Sequence, residues 1–128
     1  MTRQIVTSGA PWEQAYGYRR AVRIGNVVAV AGTAPVGDDG ETFAPGDPYA
    51  QAKRCFEIAL KAAAELGAKP EHVIRTRMYV TDMRFADDFG RAHAELFGAH
   101  PPAATMVEIR RLVRPDMLIE VEVEAVLP

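Results

Sequence analysis

Hydrophobic and polar positions alternate most clearly near the C-terminus, in the stretch MLIEVEVEAVL at residues 117–127. Apolar side chains recur at every second position, and three glutamates fall between them: Glu120, Glu122 and Glu124. A period of two predicts a β-strand with one apolar and one polar face. Carboxylates in one row repel each other unless cations or water screen them. The strand therefore raises the question of what its polar face meets.

The same pattern predicts four earlier strands. Segments 19–24 and 27–31 flank a Gly-Asn turn and should form a hairpin. HVIRTRMYVTD at residues 72–82 alternates, and TMVEIRRLV at residues 105–113 is a further strand. The strand that begins at residue 72 should have two distinct faces. Its inner side chains are predicted to be Ile74, Thr76, Met78 and Val80, and its outer ones Arg75, Arg77 and Tyr79.

Two helices are predicted from apolar residues that recur at spacings of three and four. The first follows Asp47, a suitable N-cap, has Pro48 at its first position and stops at Gly67. The second follows Asp82 and stops at Gly98. Their apolar stripes are Ala52, Cys55, Phe56, Ala59, Leu60 and Ala63 in the first helix, and Phe85, Phe89, Ala92, His93 and Leu96 in the second.

The predicted order is β-β-α-β-α-β-β, within one domain that spans residues 1–128. Each helix needs a sheet face to cover its stripe, so the pattern favours a two-layer α+β fold with both helices on one face. The uncovered face should hold Arg75, Arg77, Tyr79, Glu120, Glu122, Glu108 and Arg110. Two interpretations of that face stay open. It is a solvated face with weak ion pairs, or a surface where subunits assemble through arginine and carboxylate.

Composition and charge narrow the classes of function. The 128 residues are 48% hydrophobic, with a net charge of −2. This balance argues against nucleic-acid binding, which normally uses a basic surface. A single cysteine, Cys55, excludes an intrachain disulfide and fits a reducing compartment. We see no secretory signal and no apolar run near the roughly 20 residues of a membrane span. We therefore expect a cytoplasmic protein with no membrane or nucleic-acid partner.

Four segments resemble the reactive-intermediate deaminase family, RidA, also called YjgF-like. They are AYGYRRAVRIGNVVAVAGTAP, RTRMYVTDM, PPAATMVEIRRL and MLIEVEVEAV, and they lie in the family's order and spacing. The resemblance implies a chorismate-mutase-like fold with a mixed sheet, a homotrimer, and small-molecule sites in the clefts between subunits. It also implies hydrolysis of small imines and enamines, such as those released by pyridoxal-phosphate enzymes, to a keto acid and ammonia, with no cofactor.

The resemblance assigns roles to several positions. Glu120 corresponds to the family's catalytic glutamate, Tyr18 to its pocket tyrosine and Gly32 to its backbone-binding glycine. Ala104 stands where active members carry an arginine that binds the substrate carboxylate, and Thr105 beside it is a candidate substrate-binding hydroxyl. Structural interpretations stay open: Glu120 as one member of an ion-pair row, Tyr18 as packing area, and Thr105 as an ordinary strand residue.

Further candidates arise from the residues themselves. Arg20 shares a strand face with Tyr18 and is a candidate replacement for the missing cation, or else a solvated or interfacial arginine. His93 is a candidate acid or base, or a satisfied core histidine. Cys55 is interpreted as a small core residue. His72 and His100 are isolated and no second ligand stands at metal spacing, so we predict no metal site.

Three hypotheses of function follow. The first is a hydrolase or deaminase that acts on imine, enamine or related carbonyl metabolites through Glu120. Because Ala104 has no charge, its substrate should be less anionic than an amino-acid-derived imine, or anchored differently. The second is a trimer that binds a small metabolite without turnover. The third, an endoribonuclease or translation inhibitor, comes from older family labels, and the chain has no histidine pair or basic stripe to support it.

Overall fold

The computed structural model describes residues 2–128 of the chain. Its helices and strands follow one another as β1 (Arg3–Val6), α1 (Pro11–Tyr16), β2 (Ala21–Ile24), β3 (Val27–Thr33), α2 (Pro48–Glu65), β4 (Val73–Val80), α3 (Ala86–Phe97), β5 (Ala103–Glu108) and β6 (Ile119–Val126). Short 3₁₀ turns at Pro70–His72 and Met83–Phe85 precede β4 and α3. Across residues 2–128, every helix is too short or too polar to cross a membrane.

The strands form one mixed sheet in the order β1-β2-β3-β6-β4-β5. Neighbours are antiparallel except β4 and β5, which run parallel and are joined through α3. Helix α2 packs across β3 and β6 and also against α3. The two-layer α+β fold with α2 and α3 on one face is therefore confirmed.

The core lies between that face and the helices. Ile119, Val121 and Val123 of β6 are fully buried, and Phe56 of α2 and Phe89 of α3 meet them from the helical layer. Burying side chains of this size contributes roughly 1.5–3 kcal/mol each. Because every second residue of β6 enters this core, Glu120, Glu122 and Glu124 must lie on the outer face, as the alternation predicted.

Helix boundaries follow the local signals in part. Asp47 caps α2 by accepting a hydrogen bond from the Ala50 amide, 3.0 Å away, and Gly67 after the helix has a φ of 93° that favours glycine. Asp82 caps the 3₁₀ turn rather than α3, because its carboxylate accepts from the Arg84 amide. The α-helix begins only at Ala86.

Several predictions at the sheet were wrong. Strand β1 and helix α1 were not predicted. Strand β5 ends at Glu108 rather than continuing to residue 113, because its one neighbour β4 ends at Val80, the register partner of Glu108. That pairing also puts Glu108 on the helical side, not on the outer face, and Arg110 lies beyond the strand. Ile74 is half exposed because a register shift between Val73 and Arg75 turns Val73 inward in its place.

Candidate functional site

The carboxylate row on β6 is partly neutralised by β4, and the pairing is diagonal. Tyr79 stands opposite Glu120 in the register, yet its hydroxyl donates to Glu122. Arg77 stands opposite Glu122, yet its Nη1 donates to Glu124 over 2.6 Å. Tyr79 and Arg77 therefore each bond to the glutamate of the next register pair along β6 and not to the one directly opposite. Among residues 2–128, no side chain is left to hydrogen-bond or ion-pair with Glu120, which stands at the end of the ladder.

Gly32 of β3 makes room for the free carboxylate. A Cβ placed on Gly32 would overlap Oε1 of Glu120 and lie only 3.3 Å from its carboxyl carbon. The requirement is for space, since Gly32 is not among the glycines with positive φ. The register of β3 with β6 shifts between Val30 and Thr33, which encloses this position. The carboxylate of Glu120 thus lies directly across the Gly32 backbone.

The side chain of Arg20 binds the backbone at Gly32. Its Nη2 donates to the carbonyl oxygens of Ala31 and Gly32, over 2.7 and 2.6 Å. Its position is set at the start of β2, where its amide donates to Val6 and its carbonyl accepts from Ala31. The buried Nε of Arg20 has no hydrogen-bond partner among residues 2–128. Arg20 is therefore committed to the backbone at the site, not free to act as a substrate clamp.

The electrostatics of Glu120 favour a proton-transfer role. Burial raises the pKa of Glu120 above its ordinary value, Glu122 adds to this rise, and the Arg20 guanidinium partly offsets it. Burial also lowers the pKa of Arg20, which stays charged because an arginine starts so high. A half-buried carboxyl with a raised pKa and no partner within residues 2–128 is suited to take and return a proton.

Tyr18 follows helix α1 and stands two residues before Arg20. The amides of Gly17 and Tyr18 both donate to the Glu13 carbonyl at the end of the helix, over 3.0 Å each. The Glu13 side chain is buried and accepts from the Thr7 hydroxyl and from the Ser8 amide and hydroxyl. Burial alone would raise the pKa of Glu13, but these hydrogen bonds outweigh it and lower the pKa.

Sequence reasoning missed Glu13. A helix-start signal was present, because Pro11 stands at the first helical position and Glu13 lies in the first turn. The carboxylate anchors the segment that carries Tyr18, whose ring is about one-third exposed at 38%. Glu13 therefore has a structural role: it fixes the segment that carries Tyr18.

The two candidates on β5 lie apart from Glu120. Ala104 is the register partner of Thr76, which is fully buried beneath the helices, so Ala104 lies on the helical side of the sheet. Thr105 pairs with Arg77 and shares the outer face with Glu120. Strand β4 separates β5 from β6, so the two strands are roughly 10 Å apart. One chain therefore brings together Gly32 and Glu120, but not Ala104.

His93 and Cys55 are accounted for by packing. His93 Nε2 shares a 2.8 Å hydrogen bond with the Thr76 hydroxyl, its ring packs on Phe56 and Phe97, and burial lowers its pKa. Burial raises the pKa of Cys55 well above its ordinary value, which keeps the thiol neutral. Across residues 2–128, no group of three His, Cys, Asp or Glu side chains is placed to hold a metal ion.

Comparison with known proteins gives consistent matches over nearly the whole chain. Residues 7–127 match the family described as Endoribonuclease L-PSP. A Streptomyces coelicolor protein, SCO2049, is 43% identical over 94% of this chain and 89% of its own length. The crystal structure of Mycobacterium tuberculosis Rv2704, of the YjgF/YER057c/UK114 family, has a TM-score of 0.88 at 40% identity and covers 98% of this chain and 100% of its own. The 3-aminoacrylate deaminase RutC of Acinetobacter baylyi is 27% identical over 81% of this chain and 82% of its own.

Proposed function

Because the chain belongs to the Endoribonuclease L-PSP family, also called YjgF or RidA-like, we propose that it hydrolyses small imines or enamines. The observation that carries the proposal is Glu120, the one carboxylate of its row without a partner within residues 2–128. It lies half-buried across Gly32, and its pKa is raised. The name of the RutC relative, 3-aminoacrylate deaminase, points to the same class of enamine substrate.

The reaction needs one proton-transfer group and a held substrate. Glu120 accepts a proton from water while the water oxygen bonds to the carbon of a protonated imine, and the C=N electron pair moves to the nitrogen. Glu120 then returns its proton to the nitrogen of the resulting amino alcohol, and ammonia leaves with the electrons of the C–N bond. The carbonyl forms as the hydroxyl proton passes to solvent, which balances the proton that the imine carried, so the enzyme ends unchanged. A raised pKa suits both directions of transfer.

The charges of the site restrict the substrate. Glu120 and Glu122 disfavour an anionic group on the outer face and favour a protonated nitrogen beside them. Ala104 offers no charge or donor for a carboxylate. Arg20 does not replace it, because its Nη2 is bound to backbone carbonyls. We therefore expect neutral or cationic imines, or their enamine tautomers, as better substrates than carboxylate-bearing ones.

The active unit in this proposal is a homotrimer with a cleft between neighbouring copies. Gly32 and Glu120 lie against each other, while Ala104 lies on the opposite face of the sheet from Glu120. A cleft that contains both groups requires a second copy. The exposed edge strand β5 and the outer face of β6 are the surfaces available for it. We expect the trimer to act in the cytoplasm, without a cofactor.

The decisive experiment compares two neighbouring glutamates. Small imines are generated in situ by a pyridoxal-phosphate enzyme, and release of the carbonyl product is followed with wild type, Glu120→Gln and Glu122→Gln. Both variants lose one carboxylate from the same strand, but Glu122 accepts from Tyr79 whereas Glu120 has no partner within residues 2–128. Glu120→Gln should lower the rate at least about 100-fold, and Glu122→Gln should keep most of it. Equal rates for wild type and Glu120→Gln across neutral and anionic imines would reject the proposal.

A binding role without turnover is the second candidate, and the uncharged Ala104 position favours it. In that case, metabolites with carbonyl or imine groups should raise the melting temperature at constant protein concentration while remaining unchanged. Product release that depends on Glu120 would exclude this role. RNA cleavage, suggested only by the family's description, has no support in the site, because His93 is engaged with Thr76.

A further inference from the structure

We propose that Arg20 is a positioning residue for Glu120: it fixes the Gly32 peptide on which the Glu120 carboxylate lies and supplies the positive charge that opposes that carboxylate. The catalytic meaning of this role rests on the proposed function, whereas the placement itself does not. The resemblance to the family assigns no role to this position, where the sequence left a solvated arginine open.

The geometry begins at one peptide that two side chains share. Arg20 Nη2 donates to both carbonyl oxygens that flank the Gly32 amide, those of Ala31 and Gly32 itself. The Glu120 carboxylate lies against Cα of the same glycine. A guanidinium that grips two successive carbonyls allows the peptide little rotation. Loss of this grip would let the Gly32 backbone move and change the space that Glu120 occupies.

The charge arrangement extends beyond this pair. Glu13, held ionised by hydrogen bonds from Thr7 and Ser8, also stabilises the positive charge of Arg20. Arg20 therefore interacts with two carboxylates, those of Glu13 and Glu120. The buried, unpartnered Nε of Arg20 is an energetic cost. Folded proteins retain a buried donor without a partner where the charged group that carries it serves a functional site.

Other groups that face Glu120 do not supply this positive charge. Glu122 on the same strand is negative and raises the Glu120 pKa, while Arg20 lowers it. Tyr79 of β4 and the buried thiol of Cys55 in α2 both have raised pKa values, because of the hydrogen bond to Glu122 and of burial respectively, and are neutral at pH 7. Tyr18 ahead of β2 is a phenol and cannot carry a positive charge. Arg77 of β4 is engaged with Glu124. Arg20 is therefore the cation that acts on Glu120.

The test is a carboxyl-carbon NMR titration of the full chain without substrate, with the Glu120 signal assigned from its loss in Glu120→Gln. Arg20→Met removes the charge, Arg20→Lys keeps it but loses the two-carbonyl grip, and Arg19→Met is the control. Arg19 is the adjacent exposed arginine, whose guanidinium hydrogen-bonds within residues 2–128 to the Tyr18 carbonyl alone. Arg20→Met should raise the Glu120 pKa by at least about 0.5 unit, and Arg19→Met should leave it unchanged.

Arg20→Lys keeps the inference testable if Arg20→Met does not fold. It should leave the Glu120 pKa near that of the wild type, but shift the carbonyl-carbon signals of Ala31 and Gly32 and lower kcat about 10-fold with little change in KM. Unchanged carbonyl signals in Arg20→Lys, or equal Glu120 titrations in folded Arg20→Met and Arg19→Met, would overturn the inference. Since the titration needs no turnover, a wild type without hydrolysis would reject only the proposed function.

Discussion

Substitution of Gly32 by alanine should separate the activity of the site from the stability of the fold. The added methyl group would overlap Oε1 of Glu120, while its distances to the carboxyl carbon and to Cγ are 3.3 and 3.8 Å. Only the carboxylate end must therefore move, by on the order of 1 Å to reach ordinary contact. A side chain displaced from its preferred rotamer costs about 0.5–1.5 kcal/mol, so the free energy of unfolding should fall by about 1 kcal/mol. A misplacement of that size should lower the hydrolysis rate on the order of 100-fold.

Two measurements on the same samples check this prediction. Urea denaturation gives the free energy of unfolding, and release of carbonyl product from small imines gives the rate. Gly90→Ala is the matched control, because a Cβ at Gly90 in α3 meets no atom within 4 Å. It should stabilise the chain by about 0.5–1 kcal/mol through helix propensity and leave the rate unchanged. A Gly32→Ala variant with the wild-type rate would refute the placement of Glu120 across this glycine.

Three further predictions concern charge. Burial raises the pKa of Glu120, so the contribution of this side chain to stability is greatest below its ordinary pKa of 4.5 and is lost as pH rises through the raised value. Glu120→Gln should therefore increase the free energy of unfolding at pH 7, by less than about 1 kcal/mol. A less stable variant at that pH would contradict this. The pKa of Glu13 is lowered, so Glu13→Gln should reduce the free energy of unfolding at pH 7. The difference in stability between wild type and variant should vanish as pH falls through the lowered pKa. A difference that is independent of pH in urea denaturation would count against this prediction. Ala104→Arg should raise kcat/KM about 10-fold for carboxylate-bearing imines but not for matching carboxamides, and an equal effect on both would disprove a carboxylate-binding role for that position.

The layered fold was predictable because its signals are local. The alternation in β6 identified both of its faces, and the stripe of α2 with Asp47 and Gly67 at its ends set the helix within a residue or two. Strand β1 was missed because it has four residues and no buried alternation, so nothing in its sequence distinguishes it from a loop. It exists because it pairs with β2, which is a tertiary property.

The site was predictable only in part. The resemblance selected Tyr18, Gly32 and Glu120, and the structure puts Glu120 against Gly32. It did not reveal which carboxylate of the row lacks a partner within residues 2–128, because that depends on the diagonal bonding of Tyr79 and Arg77 across the β4–β6 register. Side-chain direction within a ladder is set by neighbouring strands and cannot be read from alternation.

The sequence also did not predict which residues of β5 lie on each face of the sheet. Residues 103–108 alternate weakly, with alanine, threonine and methionine on neighbouring positions, so neither face is marked as apolar. Only the parallel register with β4 puts Ala104 on the helical side and Thr105 on the outer face. The consequence is that Ala104 and Glu120 lie on opposite faces of the sheet within one chain.

The pH dependence of imine hydrolysis tests the role of Glu120 most directly. A base must be ionised to act, so log kcat/KM should rise with pH and level off above an apparent pKa higher than the ordinary 4.5 of a glutamate. We predict that this rise disappears in Glu120→Gln and persists in Glu122→Gln. A rise of the same size and midpoint in wild type and Glu120→Gln would show that another group transfers the proton.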